Sequence, residues 1–152
     1  MNEYFSCLER QEALKKTFQD CASEQARYEK IIQLGRNLPP FPSEQMTEEN
    51  RVKGCQSNLF LYSEWKDGRI YFKACSDALI SAGLAAILLH VYNGETAEAI
   101  LKCPPKFLED LGIQASLSPN RANGLYSIHL KMQQDALKLF AAHIRNSPSS
   151  PH

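Results

Sequence analysis

The sequence predicts one α+β domain, a small antiparallel sheet packed with helices. Apolar residues recur at helical spacing toward both ends of the chain, and two alternating, aromatic-rich runs meet at an Asp-Gly pair in the middle. At 152 residues the chain suits one core and leaves little room for a second, and it shows no internal repeat.

The elements follow in order. Glu9 to Asn37 reads as helix in two pieces, the first set by Leu8, Leu14 and Phe18, the second by Tyr28, Ile31, Ile32 and Leu34. Ser23 or Asp20 caps the second piece, and Gly35 followed by Asn37-Leu38-Pro39-Pro40 reads as its stop. Pro39 to Asn50 is polar and Pro-bearing, a surface connection. Asn58–Trp65 and Arg69–Ala74 alternate as strands around Lys66-Asp67-Gly68, a hairpin signal, and Val52 opens a short third strand before Gly54.

Ser76 as N-cap and Asp77 in the first turn then start a helix from Ala78 to Val91, ended by Asn93-Gly94. Leu79, Ile80, Leu84, Ala85, Ile87, Leu88 and Leu89 surround it almost completely, which marks the central buried helix. Thr96 caps a short helix through Leu101, Pro104-Pro105 breaks it, and Lys106–Leu111 forms another turn ending at Gly112. Ser118-Pro119 opens a long helix to about Ile144, with Leu125, Ile128, Leu130, Met132, Leu137 and Leu139 as its core stripe. The domain is expected over 1–145, its core about 9–144, with a flexible Ser/Pro-rich tail at 146–152.

Composition narrows the function. Seventeen Lys+Arg balance seventeen Asp+Glu, so no general field holds a nucleic acid or an acidic bilayer. No apolar run approaches the roughly 18–20 residues of a bilayer span. Met1-Asn2-Glu3-Tyr4-Phe5-Ser6 carries no basic-then-apolar leader, so a cytoplasmic location is expected. Cys7, Cys21, Cys55, Cys75 and Cys103 are odd in number and widely spaced, a poor disulfide framework. Without a C-x-x-C or H-x-x-x-H they form no local chelate, and a functional cysteine here acts as a lone thiol. His90, His129 and His143 fall on or beside apolar helix faces, where packing is the commoner role.

Cys55 is the outstanding candidate. In Val52-Lys53-Gly54-Cys55-Gln56-Ser57-Asn58 the glycine allows a tight loop, small polar neighbours leave the sulfur approachable, and Lys53, Gln56 and Ser57 offer a cation or donors that favour thiolate. The competing reading is a small hydrophobe tucked at a strand start.

Four segments in order resemble one family. These are Ile31-Ile32-Gln33-Leu34-Gly35-Arg36-Asn37-Leu38-Pro39-Pro40, the Val52–Ser57 loop, Cys75-Ser76-Asp77-Ala78 with Ile80 and Gly83-Leu84, and Leu117-Ser118-Pro119-Asn120-Arg121-Ala122-Asn123-Gly124-Leu125. Together they resemble the SufE family, sulfur acceptors of cysteine desulfurases, whose fold is similar to scaffold proteins of the IscU type. The resemblance implies that Cys55 takes persulfide sulfur from a SufS- or CsdA-like desulfurase, stimulating it, and passes that sulfur to a SufBCD-like iron–sulfur scaffold complex. Pyridoxal phosphate belongs to the desulfurase; this chain is expected to carry no cofactor or metal and to work as an accessory protein rather than alone. A homodimer is compatible with the sequence and not required by it.

By the same resemblance Arg121 lies near the acceptor cysteine, and Leu59, Phe60 and the helix from Ala78 wall an apolar pocket for the sulfur. Phe60 stands where the family usually has Trp. Asp77 is read first as a first-turn stabiliser and second as a loop anchor. Cys75 is read as a packed strand-end residue, with a relay or resolving thiol as the alternative. Two other functions stay in view: a cluster scaffold, needing about three converging ligands, and a non-covalent activator of a desulfurase.

Overall fold

The computed structural model describes residues 4–113 and 117–146, so the expected tail lies outside the described residues apart from Asn146. In chain order the elements are α1 (Phe5–Gln19), α2 (Glu24–Arg36), two single 3-10 turns (Ser43–Gln45 and Glu48–Asn50), β1 (Leu59–Lys66), β2 (Arg69–Ser76), α3 (Leu79–Tyr92), α4 (Ala97–Lys102), α5 (Phe107–Asp110) and α6 (Pro119–Asn146). This is the predicted α+β class.

The helix α1 opens at Phe5, ahead of the expected Glu9, and buries Cys7, Gln11, Leu14 and Phe18. That i, i+4, i+7, i+11 stripe keeps the expected Leu14 and Phe18 and takes Cys7 in place of Leu8, which is exposed to solvent. Ser23, not Asp20, caps α2, its Oγ accepting from Ala26 N–H at 3.1 Å. Gly35 proves not to be a stop. It lies inside α2, where an added Cβ would stand 2.6 Å from Gly83 N. Gly83 returns the constraint, its own Cβ position falling 2.2 Å from Ile31 O. The pair is glycine so that two helix backbones can touch.

The hairpin is as predicted. Asp67 (φ 53°) and Gly68 (φ 81°) both take left-handed conformations, the type I′ geometry that matches strand twist. The register pairs Leu59 with Ser76, Phe60 with Cys75, and Leu61 with Ala74. Leu59, Leu61, Ile70, Phe72 and Ala74 are buried on the inner face, against α3 and α6. The expected third strand reduces to one bridge, Arg51 to Phe60, with Val52 N–H donating to Leu59 O at 2.8 Å. Along the outer edge of β2, Ile70 N–H donates to Glu95 O (2.9 Å), Gly94 N–H to Ile70 O (2.7 Å) and Phe72 N–H to the Asn93 side chain (2.7 Å). Glu95, buried, accepts from Ser6 Oγ at 2.8 Å and pairs with Arg10 at 3.5 Å, which pins α1 to this corner.

The central helix α3 is the expected one with a later start. Its N-cap is Ala78, without a side-chain cap, because Ser76 still belongs to β2. Ser76 Oγ accepts from Ala78 N–H at 3.1 Å across the corner instead. Leu79 is exposed, while Leu84, Ala85, Ile87, Leu88 and Val91 are buried. Thr96 caps α4 as expected (3.2 Å from Ala99 N), and Ser118 Oγ accepts from Arg121 N–H at 3.3 Å at the start of α6. The buried stripe of α6 is Leu125, Ile128, Met132 and Ala136. Leu130 and Leu137, expected in it, face solvent because they lie off that 3–4 residue spacing.

The glycine contact yields a test. Alanine is better than glycine in an exposed helix interior by about 1 kcal/mol, but the 2.2 Å approach to a backbone carbonyl leaves the methyl nowhere to go. Gly83→Ala is expected to lower stability by about 1–3 kcal/mol, read as a fall in the urea midpoint; an unchanged or higher midpoint would show that α2 and α3 separate freely.

Candidate functional site

The loop from Val52 to Asn58 is anchored at both ends. Buried Val52 holds one end through Leu59 O. At the other, Asn58 N–H donates to Asp77 Oδ1 (3.1 Å), its Nδ2 to Asp77 Oδ2 (2.9 Å), and Asp77 N–H donates back to Asn58 O (3.2 Å). Arg51 Nη2 completes the clip on Asn58 Oδ1 at 2.7 Å. Asp77 is therefore a loop anchor; its expected role in the first helical turn fails because α3 begins two residues later. Gly54 turns the chain at φ 88°, with Ser127 Oγ only 2.6 Å from where a Cβ would be. The left-handed backbone is what calls for glycine there, since the Ser127 hydroxyl could rotate away.

This loop holds the partly exposed Cys55 at a cleft of about 460 Å³ between α3 and the first turns of α6. Ala78, Leu84 and Ile128 give the cleft its apolar lining; Gln56, Asn120 and Arg121 are its larger polar members. Gly124 of α6 faces the sulfur, its Cβ position being 3.5 Å from Cys55 Sγ, an ordinary contact distance. Hydroxyls surround the sulfur. Ser57 Oγ is 3.1 Å from Sγ and Ser81 Oγ 3.9 Å. Ser57 Oγ also donates to Ser81 Oγ at 2.8 Å and accepts from Ser76 Oγ at 3.4 Å. The N-terminus of the 28-residue α6 faces the same cleft, where its dipole favours negative charge.

Arg121 and Gln56 both line this cleft. Arg121 lines the cleft, its guanidinium 5.6 Å from the centre of the Tyr28 ring and Nη1 3.4 Å from Tyr28 Oη. Gln56 Oε1 accepts from Asn120 Nδ2 at 3.4 Å, a link from loop to helix. Other candidates are elsewhere. Lys53 is exposed and lines no part of the cleft. Leu59 is wholly buried in the core, and Phe60 lies on the outer sheet face against Phe41 at 6.4 Å, so neither walls the cleft. Cys75 pairs with Phe60 on that outer face, while its neighbour Ser76 points to the cleft side. Burial pushes the Cys75 thiol up, which suits the packing reading.

Cys7 and Cys103 form a separate buried cluster. Gln11 Nε2 donates to Cys103 Sγ (3.5 Å), Cys7 Sγ (3.7 Å) and Pro104 O (3.0 Å). Burial, then the Cys103 thiol, pushes Cys7 up to about 12. His129 stacks on Tyr92 at 5.3 Å and burial disfavours its charged form, while His143 stacks on Trp65 at 4.6 Å. A larger groove, about 570 Å³, runs along β1 and the C-terminal half of α6; it holds the Ser63–Asp135–Lys131 chain and no cysteine. The residue that sequence pattern alone does not single out is Ser81. Its signal is the three-residue spacing of Ala78, Ser81 and Leu84, which puts one hydroxyl on an apolar stripe facing the loop.

These features define an α+β domain that carries a partly exposed cysteine on a tethered loop over a cleft between two helices. The chain belongs to the SufE family. The family model for SufE, an Fe-S metabolism associated domain, matches residues 12–136. An uncharacterised SufE-like protein of Synechocystis is 37% identical over 120 residues, covering 79% of this chain and 76% of that one. The sulfur acceptor protein CsdE of Escherichia coli is 32% identical over 119 residues, 77% and 81% of the two chains. SufE-like protein 1 of Arabidopsis thaliana, chloroplastic/mitochondrial, is 38% identical over 125 residues, which span 82% of this chain and 34% of the plant protein. The solution structure of a hypothetical protein from Thermus thermophilus shares the fold, with a TM-score of 0.72 over 87% of this chain and 96% of that one at 23% identity. Among the described residues no helix is long and apolar enough to cross a membrane.

The thiols can be ranked by experiment. With iodoacetamide at pH 8, peptide mapping is expected to find Cys55 modified before Cys75, and Cys7 only after denaturation, because a raised thiol stays neutral at that pH. Rapid labelling of Cys7 in the folded protein would contradict its burial.

Proposed function

We propose that this protein is a sulfur acceptor in iron–sulfur metabolism, with Cys55 as the carrying thiol. The observation that carries the reading is the placement of Cys55: on a loop with both ends clipped, partly open to solvent, with hydroxyls against its sulfur and an arginine lining the same cleft. The E. coli relative is named a sulfur acceptor protein, which supports it. In the transfer, the Cys55 thiolate attacks the outer sulfur of a donor cysteine persulfide. A bond forms between Cys55 Sγ and that sulfur, the donor S–S bond breaks, and the donor cysteine leaves as thiolate. Nothing is oxidised or reduced overall, so no redox partner is required. The donor is a cysteine desulfurase carrying its own pyridoxal phosphate, and a scaffold complex receives the sulfur.

The apolar part of the cleft (Ala78, Leu84, Ile128) limits water around the loaded sulfur. Arg121, partly occupied by Tyr28, is placed to meet the anionic sulfur or the incoming donor. A scaffold role is less well supported: among the described residues no three His, Cys, Asp or Glu side chains converge as a metal-ligand set. The reading also places the protein in a reducing compartment, the cytoplasm, consistent with five unpaired cysteines.

Incubation with a cysteine desulfurase and cysteine is expected to add one sulfur atom to the Cys55 peptide, about 32 Da with ordinary cysteine and about 34 Da with sulfur-34 cysteine. Cys55→Ser is expected to keep desulfurase binding and lose both the adduct and the stimulation. Stimulation that survives in Cys55→Ser would overturn carriage in favour of non-covalent activation. Arg121→Ala is expected to slow sulfur transfer about ten-fold with the fold intact by circular dichroism; a normal rate would remove Arg121 from the site.

A further inference from the structure

We propose that Ser81 is a positioning residue for the anionic sulfur of Cys55, working with Ser57 and backed by Ser76. The proposal deepens the sulfur-acceptor reading and rests on it for its biological meaning. Among the described residues the polar partners of Cys55 Sγ are hydroxyls, at 3.1 Å for Ser57 and 3.9 Å for Ser81. These hydroxyls form a connected set. Ala78 N–H donates to Ser76 Oγ (3.1 Å), Ser76 to Ser57 (3.4 Å), and Ser57 and Ser81 share a proton site at 2.8 Å.

A hydroxyl both donates and accepts, and its proton rotates without moving a heavy atom. With a neutral thiol, Ser57 gives its proton to Ser81. Once the sulfur is ionised, Ser57 turns its proton onto Sγ and Ser81 turns its own onto Ser57 Oγ, so the chain ends at the charge. Hydrogen bonds to an ionised acceptor are the stronger kind, so the network favours thiolate over thiol. Removing Ser81 leaves Ser57 with one partner fewer to stabilise that orientation.

The two distances divide the work. Ser57 is in contact with Sγ itself. Ser81 stands further off and acts through Ser57, its proton turned onto Ser57 Oγ when the sulfur carries charge. A serine in the first turn of an apolar helix ordinarily bonds back to its own backbone or to water; this one faces the reactive atom from a stripe otherwise made of Ala78 and Leu84.

The test compares wild type, Ser81→Ala, Ser81→Thr and Ser57→Ala, each confirmed as folded by its thermal midpoint. Alkylation of Cys55 by iodoacetamide is measured across pH on the isolated protein, with no desulfurase present. For Ser81→Ala the rate at pH 7 is expected to fall about three- to ten-fold, the scale of one lost hydrogen bond, while the rate at high pH is unchanged. Ser57→Ala is expected to fall at least as far, and Ser81→Thr to recover. Desulfurase-loaded Ser81→Ala is further expected to lose its sulfur adduct to dithiothreitol faster than wild type does. An unchanged pH profile would overturn the proposal. So would a fall of equal size at every pH, which is a change of access rather than of charge stabilisation. A shifted profile in a protein that takes up no sulfur would uphold the hydroxyl role and sink the carrier reading, so the two failures are distinguishable.

Discussion

Two helix backbones touch at Gly35 and Gly83, and the geometry of the site follows from that contact. Each glycine occupies a point where the other helix leaves no space for a methyl group. The contact fixes α3 against α2, and α3 then presents Ala78, Ser81 and Leu84 on the face toward the Cys55 loop. The opposite wall is set by α6, whose buried stripe of Leu125, Ile128 and Met132 seats it in the same core. The cleft is the gap that two rigidly placed helices leave at their N-terminal ends.

Within that gap the chemistry is carried by small groups. Glycine at 54 gives the loop its left-handed turn, glycine at 124 faces the sulfur, and serines 57, 76 and 81 place small hydroxyls beside it. Asp77, the acidic residue nearest in sequence to α3, commits its carboxylate to Asn58, where it fixes the loop. Charge at Asp77 and Arg51 holds the frame of the loop, and hydroxyls stand nearest the Cys55 sulfur.

Much of the fold was legible because its signals are local. The Asp67-Gly68 turn, the caps at Ser23, Thr96 and Ser118, and the apolar density of α3 each depend on a few neighbouring residues, and each lies where the pattern put it. The misreadings share the opposite property. Gly35 resembles a helix stop until Gly83, far away in sequence, is known to lie against it. Ser76 and Asp77 have the composition of a cap, but strand pairing with Leu59 keeps Ser76 in the sheet and delays the helix. In α1, helical period alone admitted Leu8, and only the packing shows that Cys7 is the buried partner. At the site, Cys55, Gln56 and Arg121 were readable from motif. Lys53 was not excluded by it, since adjacency in sequence says nothing of which way a loop side chain points.

Among the described residues the sheet has two strands, each with one long edge unpaired by the other, and such edges ordinarily invite a neighbouring chain to add a strand. Here the first half of the β2 edge is sealed by the Asn93–Glu95 corner, and the end of β1 next to the loop is sealed by Arg51 and Val52. Backbone augmentation is thereby closed off along both of these stretches. A chain that approached Cys55 would meet side chains of the loop and helix ends, a surface that substitution can retune without disturbing the hydrogen-bond ladder beneath it.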